Sequence, residues 1–464
     1  MGQWNPVYGL LGVVIIVAAE HGYAIGLEEA YEEALQNDPV YRSAQYERDA
    51  GEKNLALGRS KLLPNVSIDY QKGTNLLGIT NVGTSGLLFP GQQLNYVSQV
   101  TTLSVRQPLI NLGNYATYRQ GQAQADFSDA QFAGHAQDLV LRLVHAYTDV
   151  LYAGDQLSLV QAQHDTYGEQ MRSNERMFQM GQGTLTDKLE TQSRYALSES
   201  LVVEAQQTFE ASKHNLEIIV GIGLGELDPL GEDFYPVSDV RVDFDGWKSL
   251  ATEHNPDILA QYHSVEIAEQ EVNKSLAGHA PQLDLVGSVS RNNQGTIYTY
   301  SQDMFERSIG VELNIPLYAG GYVSALADQA KSNLKKARSE LEDRTNKVYV
   351  DLYRQFASVQ SSLRRIKALE QGVNTAKKLI EATQKSIQGG ERVNLDLLNA
   401  RSQYYQARQD LARARYDYIN AFLQLKADAG VLSMDDIKGV ARYFARIPTK
   451  ETRTTLHSIG GVKQ

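Results

Sequence analysis

Two short segments hold the residues best suited to chemistry. They are Gly181-Gln182-Gly183-Thr184-Leu185-Thr186-Asp187 and Gly389-Gly390-Glu391-Arg392-Val393-Asn394-Leu395-Asp396-Leu397-Leu398-Asn399. Each places a carboxylate shortly after a glycine turn, and the second adds a guanidinium. The chemistry available there is charge pairing and ion attraction. A guanidinium and a carboxylate form a charge-assisted pair. Carboxylates held close together raise one another's pKa and draw cations. The plainer reading of Asp187 and Asp396 is helix N-capping after a turn, and the two roles are compatible.

The inventory for bond-making chemistry is thin. The chain has no cysteine, which removes thiolate catalysis, disulfides, Cys-based metal sites and lipid attachment through an N-terminal cysteine. Its nine histidines show no His-Glu-x-x-His and no paired metal spacing. His135 and His145 fall in a long helical stretch and read as solvated or seam residues. There is no P-loop and no Gly-x-Ser-x-Gly, and Gly221, Gly223 and Gly225 do not fit a dinucleotide-binding turn. The expectation is a protein that is not an enzyme and takes no cofactor or metal. A net charge of −11 argues against nucleic acid as a partner.

The elements that must position these residues are written twice, and proline marks the copies. Asp38-Pro39, Leu63-Pro64 and Gln107-Pro108 recur as Asn255-Pro256, Ala280-Pro281 and Ile315-Pro316, with a longer insert before the third proline in the first copy. No proline lies between Pro108 and Pro229 or between Pro316 and Pro448. Proline in a helix interior costs about 3 kcal/mol, so these windows are free to form very long helices. Apolar positions confirm a helical period in the second copy. Leu326, Ala330, Leu334, Ala337, Leu341, Thr345, Val348, Leu352, Phe356, Val359, Leu363, Ile366, Val373, Ala376, Ile380 and Ile387 step mostly by three and four. A helix from Gly321 to Gln388 would be roughly 100 Å long. It turns at Gly389-Gly390 and returns through about Asp428. The first copy runs from about Tyr115 to Met180, turns at Gly181-Gln182-Gly183 and returns through about Val220. The faces opposite the seam are rich in Gln, Ser, Asn and Arg, as suits either the wall of a wet tube or a solvated bundle.

After Pro64 and Pro281 the period changes to two. Val66, Ile68 and Tyr70 alternate with Ser67, Asp69 and Gln71. Ile309, Val311, Leu313 and Ile315 alternate with Ser308, Gly310, Glu312 and Asn314. Strands of about 10 residues with one apolar face suit a membrane β-barrel, with Tyr96, Tyr298, Tyr300 and Phe305 placed as interfacial aromatics. Either hairpin alone could equally pack on a soluble core. Four strands cannot close a barrel, and open edges do not survive in lipid, so a membrane role requires oligomerisation. Residues 1–24 read as a signal peptide: Leu10 to Ala19 are apolar, and Gly22-Tyr23-Ala24 allow cleavage before Ile25, although Met1 to Asn5 hold no Lys or Arg.

The ordered, duplicated set of helix, β-hairpin and long helical hairpin with a Gly-rich tip resembles the TolC family of outer-membrane efflux and secretion ducts. The phrase around Asn37-Asp38-Pro39 and Leu62-Leu63-Pro64 is more similar to its type I secretion members, which export proteases with an ABC transporter. The resemblance implies a mainly α fold with membrane β. A long antiparallel α-helical barrel would join a 12-stranded β-barrel built by a homotrimer, four strands per protomer. It implies an outer-membrane location reaching into the periplasm, and a periplasmic adaptor, an inner-membrane ABC transporter and secreted protein cargo as partners. Residues 25–64, 109–222, 247–280 and 317–429 would form the helical barrel, and 65–108 and 281–316 the membrane hairpins. Residues 223–246 and 430–464 would be mixed segments around the middle and a tail. The implied periplasmic gate comprises Thr186, Asp187, Arg392, Asp396 and Asn399. Asp187 and Arg392 would form a latch between neighbouring hairpins, and Asp396 an acidic ring. Gly181, Gly183, Gly389 and Gly390 would form the tip turns that meet the adaptor. The family pattern has a second aspartate where this chain has Asn399, and a tyrosine where it has Ile387, which weakens the ring and removes a latch contact. A multidrug-efflux duct is the nearest alternative, and a periplasmic coiled-coil scaffold a further one.

Overall fold

The protein is described from a computed structural model covering residues 25–79, 92–231, 234, 243–294, 302–389 and 391–444. The signal peptide, Tyr298, Tyr300, Gly390, residues 235–242 and the tail from 445 lie outside the described residues. Two continuous helices dominate: α3 (Leu112–Gln179) of 68 residues and α7 (Tyr322–Gln388) of 67 residues. Beside each stand two shorter helices placed end to end. In the first copy these are α2 (Pro39–Ser60) and α4 (Leu185–Val220). In the second they are α6 (Pro256–Leu276) and α8 (Asn394–Asp428).

The two end-to-end junctions are built alike. Asp38 caps α2 by accepting from the Tyr41 N–H at 2.8 Å, and Asn255 caps α6 by accepting from Asp257 and Ile258. Proline occupies the first turn in both, where no N–H is needed. The Asn37 amide donates to the Val220 carbonyl at 3.0 Å, and the Asn255 amide to the Asp428 carbonyl at 2.9 Å. These bonds satisfy the C-terminal carbonyls of α4 and α8. Gly221 (φ 79°) and Gly430 (φ 72°) then turn the chain away in the left-handed conformation. A Cβ on Gly221 would lie 2.3 Å from Asn37 Cβ, and one on Gly430 2.2 Å from the His254 carbonyl.

Every seam position of α7 read from the three-four spacing is buried or half-buried. Around the junctions the seams merge into one core, with Leu139, Leu143 and Tyr147 of α3, Leu216 of α4, Leu352 of α7, and Tyr418 and Leu423 of α8. Short helices α1 (Leu27–Asn37), α5 (Phe244–His254) and α9 (Met434–Ala441) close over it. The Tyr147 hydroxyl donates to the carbonyls of Ile25 (3.2 Å) and Asp228 (3.3 Å), which fastens the chain's first described residue to this level.

One four-stranded antiparallel sheet stands at the far end of the long helices, in the order β1 (Asn65–Ile79), β2 (Gln92–Ile110), β3 (Gln282–Gln294), β4 (Gln302–Asn314). β2 runs to Ile110, past the expected end of the hairpin at residue 108. Pro108 is accommodated at a register shift between Pro108 and Ile110, where a missing N–H is tolerated. Two faces follow from the register. Val66, Val105, Gly287 and Ile309 form one cross-strand row, and Ile68, Leu103, Val289 and Arg307 the next. The opposite face is polar: Ser67 bonds Ser104, Thr102 bonds Ser290, and Ser288 bonds Ser308. Arg106 bridges Asp284 (2.7 Å) and Glu312 (2.9 Å) there. Tyr96 corrects an expectation. It pairs with Asn75 on the polar face, because strand parity places it opposite Val97; Tyr70 and Phe305 share the apolar-face row instead.

The same four-wide order persists in the helices. α2, α3, α6 and α7 lie side by side near the sheet; α4, α3, α8 and α7 do so toward the tips. Among the described residues, β1 and β4 each have one strand neighbour. Among the described residues the chain is therefore a single layer of elements, with β1 and β4 as the open edges of its sheet.

Candidate functional site at the helix tips

The first tip is a tight, self-capped turn. α3 ends at Gln179, and Gly181 takes a φ of 72°. The N–H groups of Gln182 and Gly183 both donate to the Met177 carbonyl, at 2.9 and 3.1 Å. Thr184 caps α4 by accepting from the Asp187 N–H at 3.1 Å, and its hydroxyl donates to the Asp187 carboxylate at 2.5 Å. The Asp187 carbonyl accepts from Thr191 (2.8 Å) and from the buried Asn174 amide (3.3 Å). Thr186 is exposed. Lys188 crosses to Glu175 of α3 at 2.8 Å and lies 5.2 Å from the Phe178 ring. The hydrogen bond from Lys188 holds the Glu175 carboxyl below the usual carboxylate range. A groove of about 490 Å³ opens beside this pair, with Arg172, Arg176 and Lys188 on its walls.

The second tip closes in the same way over its described residues. Gly389 caps α7 with φ −80°, as Met180 caps α3 with φ −83°. The Glu391 N–H returns to the Ser386 carbonyl at 3.0 Å. Asp396 sits at the third position of α8, its N–H donating to the Val393 carbonyl and its carboxylate accepting from the Val393 N–H at 3.4 Å. Asp396 is half-buried, and Arg392 and Asn399 are exposed. Within one protomer and among the described residues, Arg392 forms no ion pair. Asp187 is turned back onto Thr184, so the two are not brought together inside a single chain.

A residue that motif reading passed over does join the hairpins. Arg194 of α4 donates to the Asn399 amide oxygen of α8 at 3.2 Å while pairing with Glu190 at 3.2 Å. Its signal was its position seven residues after Asp187, two turns along the same helix face. No cluster of His, Cys, Asp or Glu suited to a metal occurs among the described residues. None of their helices is long and apolar enough to cross a membrane.

Comparison with known proteins gives this architecture its relatives. The family described as "Outer membrane efflux protein" matches residues 30–221 and 247–431, which are the two copies. The chain is 36% identical to the alkaline protease secretion protein AprF of Pseudomonas aeruginosa, across 96% of this chain and 92% of that protein. It is 34% identical to the proteases secretion protein PrtF of Dickeya chrysanthemi, across 95% of each, and 29% identical to the outer membrane protein TolC of Vibrio cholerae, across 90% and 93%. Among solved structures, the outer membrane protein VceC of Vibrio cholerae superimposes with a TM-score of 0.73 at 18% identity, covering 87% of this chain and 96% of that one. The CmeC outer membrane channel of Campylobacter jejuni does so with a TM-score of 0.75 at 15% identity, covering 90% and 89%. The chain belongs to the TolC-like outer membrane efflux protein family, whose members are channels with a helical tunnel and a β-barrel, located in the outer membrane and extending into the periplasm.

Proposed function

We propose that the protein is the exit duct of a type I secretion system that exports proteases or similar proteins. The observation that carries this reading is the likeness to AprF and PrtF, two proteins named for protease secretion, at 36% and 34% identity over nearly the whole chain. The open edges of the protomer support a homotrimer: β1 and β4 need strand partners in lipid, and three copies of a four-stranded sheet supply a closed barrel. The duct is passive. An inner-membrane ABC transporter drives the cargo, and a periplasmic adaptor meets the tips around Gly181, Gly183, Gly389 and Gly390, with the cationic groove beside Lys188 available to it. In the resting duct, Asp187 and Arg392 face one another between neighbouring hairpins, and three copies of Asp396 ring the axis.

Deleting the gene and measuring protease activity in the culture medium tests the reading. Loss of extracellular protease, with activity retained inside the cell and restored by the gene, is the expected result. Unchanged secretion together with increased sensitivity to hydrophobic drugs would assign the duct to efflux instead. The efflux reading draws on the same family, so this measurement separates the two.

A further inference from the structure

The four strands segregate charge by face. On the polar face, which lines the channel, the charged residues of the described strands are Asp69, Asp284, Glu306 and Glu312 against Arg106. On the apolar, lipid-side face they are Lys72, Arg291 and Arg307 against Asp303. The channel side is thus net acidic and the lipid side net basic, within one sheet.

The basic residues are not scattered along the strands. Starting from the helical end, the lipid-side rows read Leu283 and Leu313, then Leu285 and Val311, then Val66, Val105, Gly287 and Ile309. The next row, Ile68, Leu103, Val289 and Arg307, brings the first cation. Tyr70, Thr101, Arg291 and Phe305 follow, and then Lys72, Gln99, Asn293 and Asp303. From Leu313 to Phe305 is about 27 Å along the strand, or about 21 Å of height at a tilt of roughly 40°. An outward apolar band is about 25 Å tall and ends in aromatic girdles. Tyr70 and Phe305 stand at that upper boundary, both well exposed, and Tyr318 and Tyr322 mark the lower one. Lys72 therefore stands one row above that boundary, at headgroup level, and Arg307 one row below it, within side-chain reach of the headgroups.

Their pairing leaves charge to spare. Arg291 is held by Asp303 in a two-pronged ion pair (3.1 and 2.7 Å), which neutralises it. Arg307 lies over the Phe305 ring at 4.8 Å, so its guanidinium is parked by an aromatic, with no acid paired to it among the described residues. Lys72 projects from the same face, exposed, one row above Tyr70. A cation placed at the edge of an apolar band gains little from water alone and much from an anionic headgroup.

We propose that Arg307 and Lys72 form a binding strip on the barrel's outer rim for phosphate-bearing headgroups of outer-leaflet glycolipid. Phe305 and Tyr70 hold the adjoining acyl chains. The test uses the purified full chain in phosphatidylcholine nanodiscs supplemented with diphosphorylated lipid A, with phosphatidylglycerol, or with inorganic phosphate in the buffer. Lipid retained through gel filtration is quantified by mass spectrometry. Wild-type protein should retain lipid A over phosphatidylcholine roughly 30-fold more than the double variant Lys72→Gln/Arg307→Gln, as two surface cations imply. Conductance of the variant in planar bilayers should be unchanged, because neither residue lies at the tips. Equal retention by wild type and variant would overturn the proposal, and so would displacement of lipid A by inorganic phosphate, which would make the strip a site for soluble anions. Where the double variant does not assemble, Arg307→Gln is compared with Arg307→Lys: retention lost in the first and kept in the second supports the strip, and loss in neither refutes it.

Discussion

Arg194 and Asn399 tie the two helical hairpins of one protomer together near their tips, with the guanidinium Nη2 3.2 Å from the amide oxygen. Glu190 holds the same nitrogen at 3.2 Å from one turn earlier on α4, so the guanidinium is aimed before it reaches α8. The bond is exposed and contributes about 0.5–1 kcal/mol. A tie of that size suits a gate, since a partner binding at the tips can break it.

Arg194→Ala should raise the resting conductance of the reconstituted channel about two- to fivefold, as loss of about 0.5–1 kcal/mol from the closed state implies. Asn399→Asp should do the reverse, because a carboxylate would pair with Arg194 directly. Single-channel recording of both variants checks this. If the two shift conductance in the same direction, the tie does not hold the gate.

The inter-protomer set is separable from it. Arg392 has no ion-pair partner within its own chain among the described residues, so its proposed role depends on the neighbouring copy. Arg392→Ser should raise conductance by loosening that latch. Asp396→Asn should weaken cation selectivity and block by multivalent cations. Its helix cap would be only slightly weaker, since the Val393 N–H bond to Asp396 is long at 3.4 Å. Reversal potentials measured across a salt gradient decide the second point: an unchanged value would place the selectivity ring elsewhere.

Much of the architecture was legible because it rests on periodicity. The α7 seam, the two proline-marked caps and the two-residue alternation of β1 and β4 each follow from local spacing. Tyr96 was misplaced because a one-residue change of parity moves a side chain to the other face, and only strand pairing sets that parity. The tips were half legible. Glycine and aspartate announced the turns, yet nothing local shows that Thr184 engages the Asp187 carboxylate, or that Arg194 finds Asn399 more than two hundred residues away. Such contacts depend on how the hairpins pack.

The pair Asp38 and Arg142 sets one acid limit of stability. Asp38 is 2% exposed, caps α2, and accepts from Arg142 of α3 at 2.8 Å. Burial alone would raise its pKa, but hydrogen bonds from Arg142 and the Tyr41 N–H hold it below the ordinary value. A carboxyl depressed in the folded state contributes stability that is present above its unfolded pKa of about 4 and is lost as pH falls through the folded value. Arg142→Ala should therefore cost about 2–3 kcal/mol at pH 7, by leaving a buried carboxylate without its counter-charge. The gap to wild type should close as pH drops below about 4. Thermal unfolding across pH 3–7, roughly the range in which carboxyls titrate, checks it; a gap that stays constant would mean that Arg142 acts through packing alone.

Asp428, at the matching junction of the second copy, has the opposite sign. Burial pushes its carboxyl up; Gln424 pulls it down through a hydrogen bond at 2.8 Å, and the acids Asp351 and Asp257 push it up again, to about 6. Its Oδ2 is buried with no hydrogen-bond partner among the described residues. Between the unfolded value of about 4 and the folded value of about 6, the native state holds a proton that the unfolded chain has released. Stability therefore falls as pH rises through that window, and the penalty stays in full above it. Asp428→Asn keeps the shape and removes the charge. It should stabilise the protein by about 1–2 kcal/mol at neutral pH, and the gain should vanish below about pH 4. Because the Asn255 amide binds the Asp428 backbone carbonyl and not its side chain, the junction itself should survive the change. Melting curves of wild type and Asp428→Asn at neutral and acidic pH distinguish the cases. A variant less stable than wild type at neutral pH would show that the carboxylate is compensated there and the predicted penalty absent.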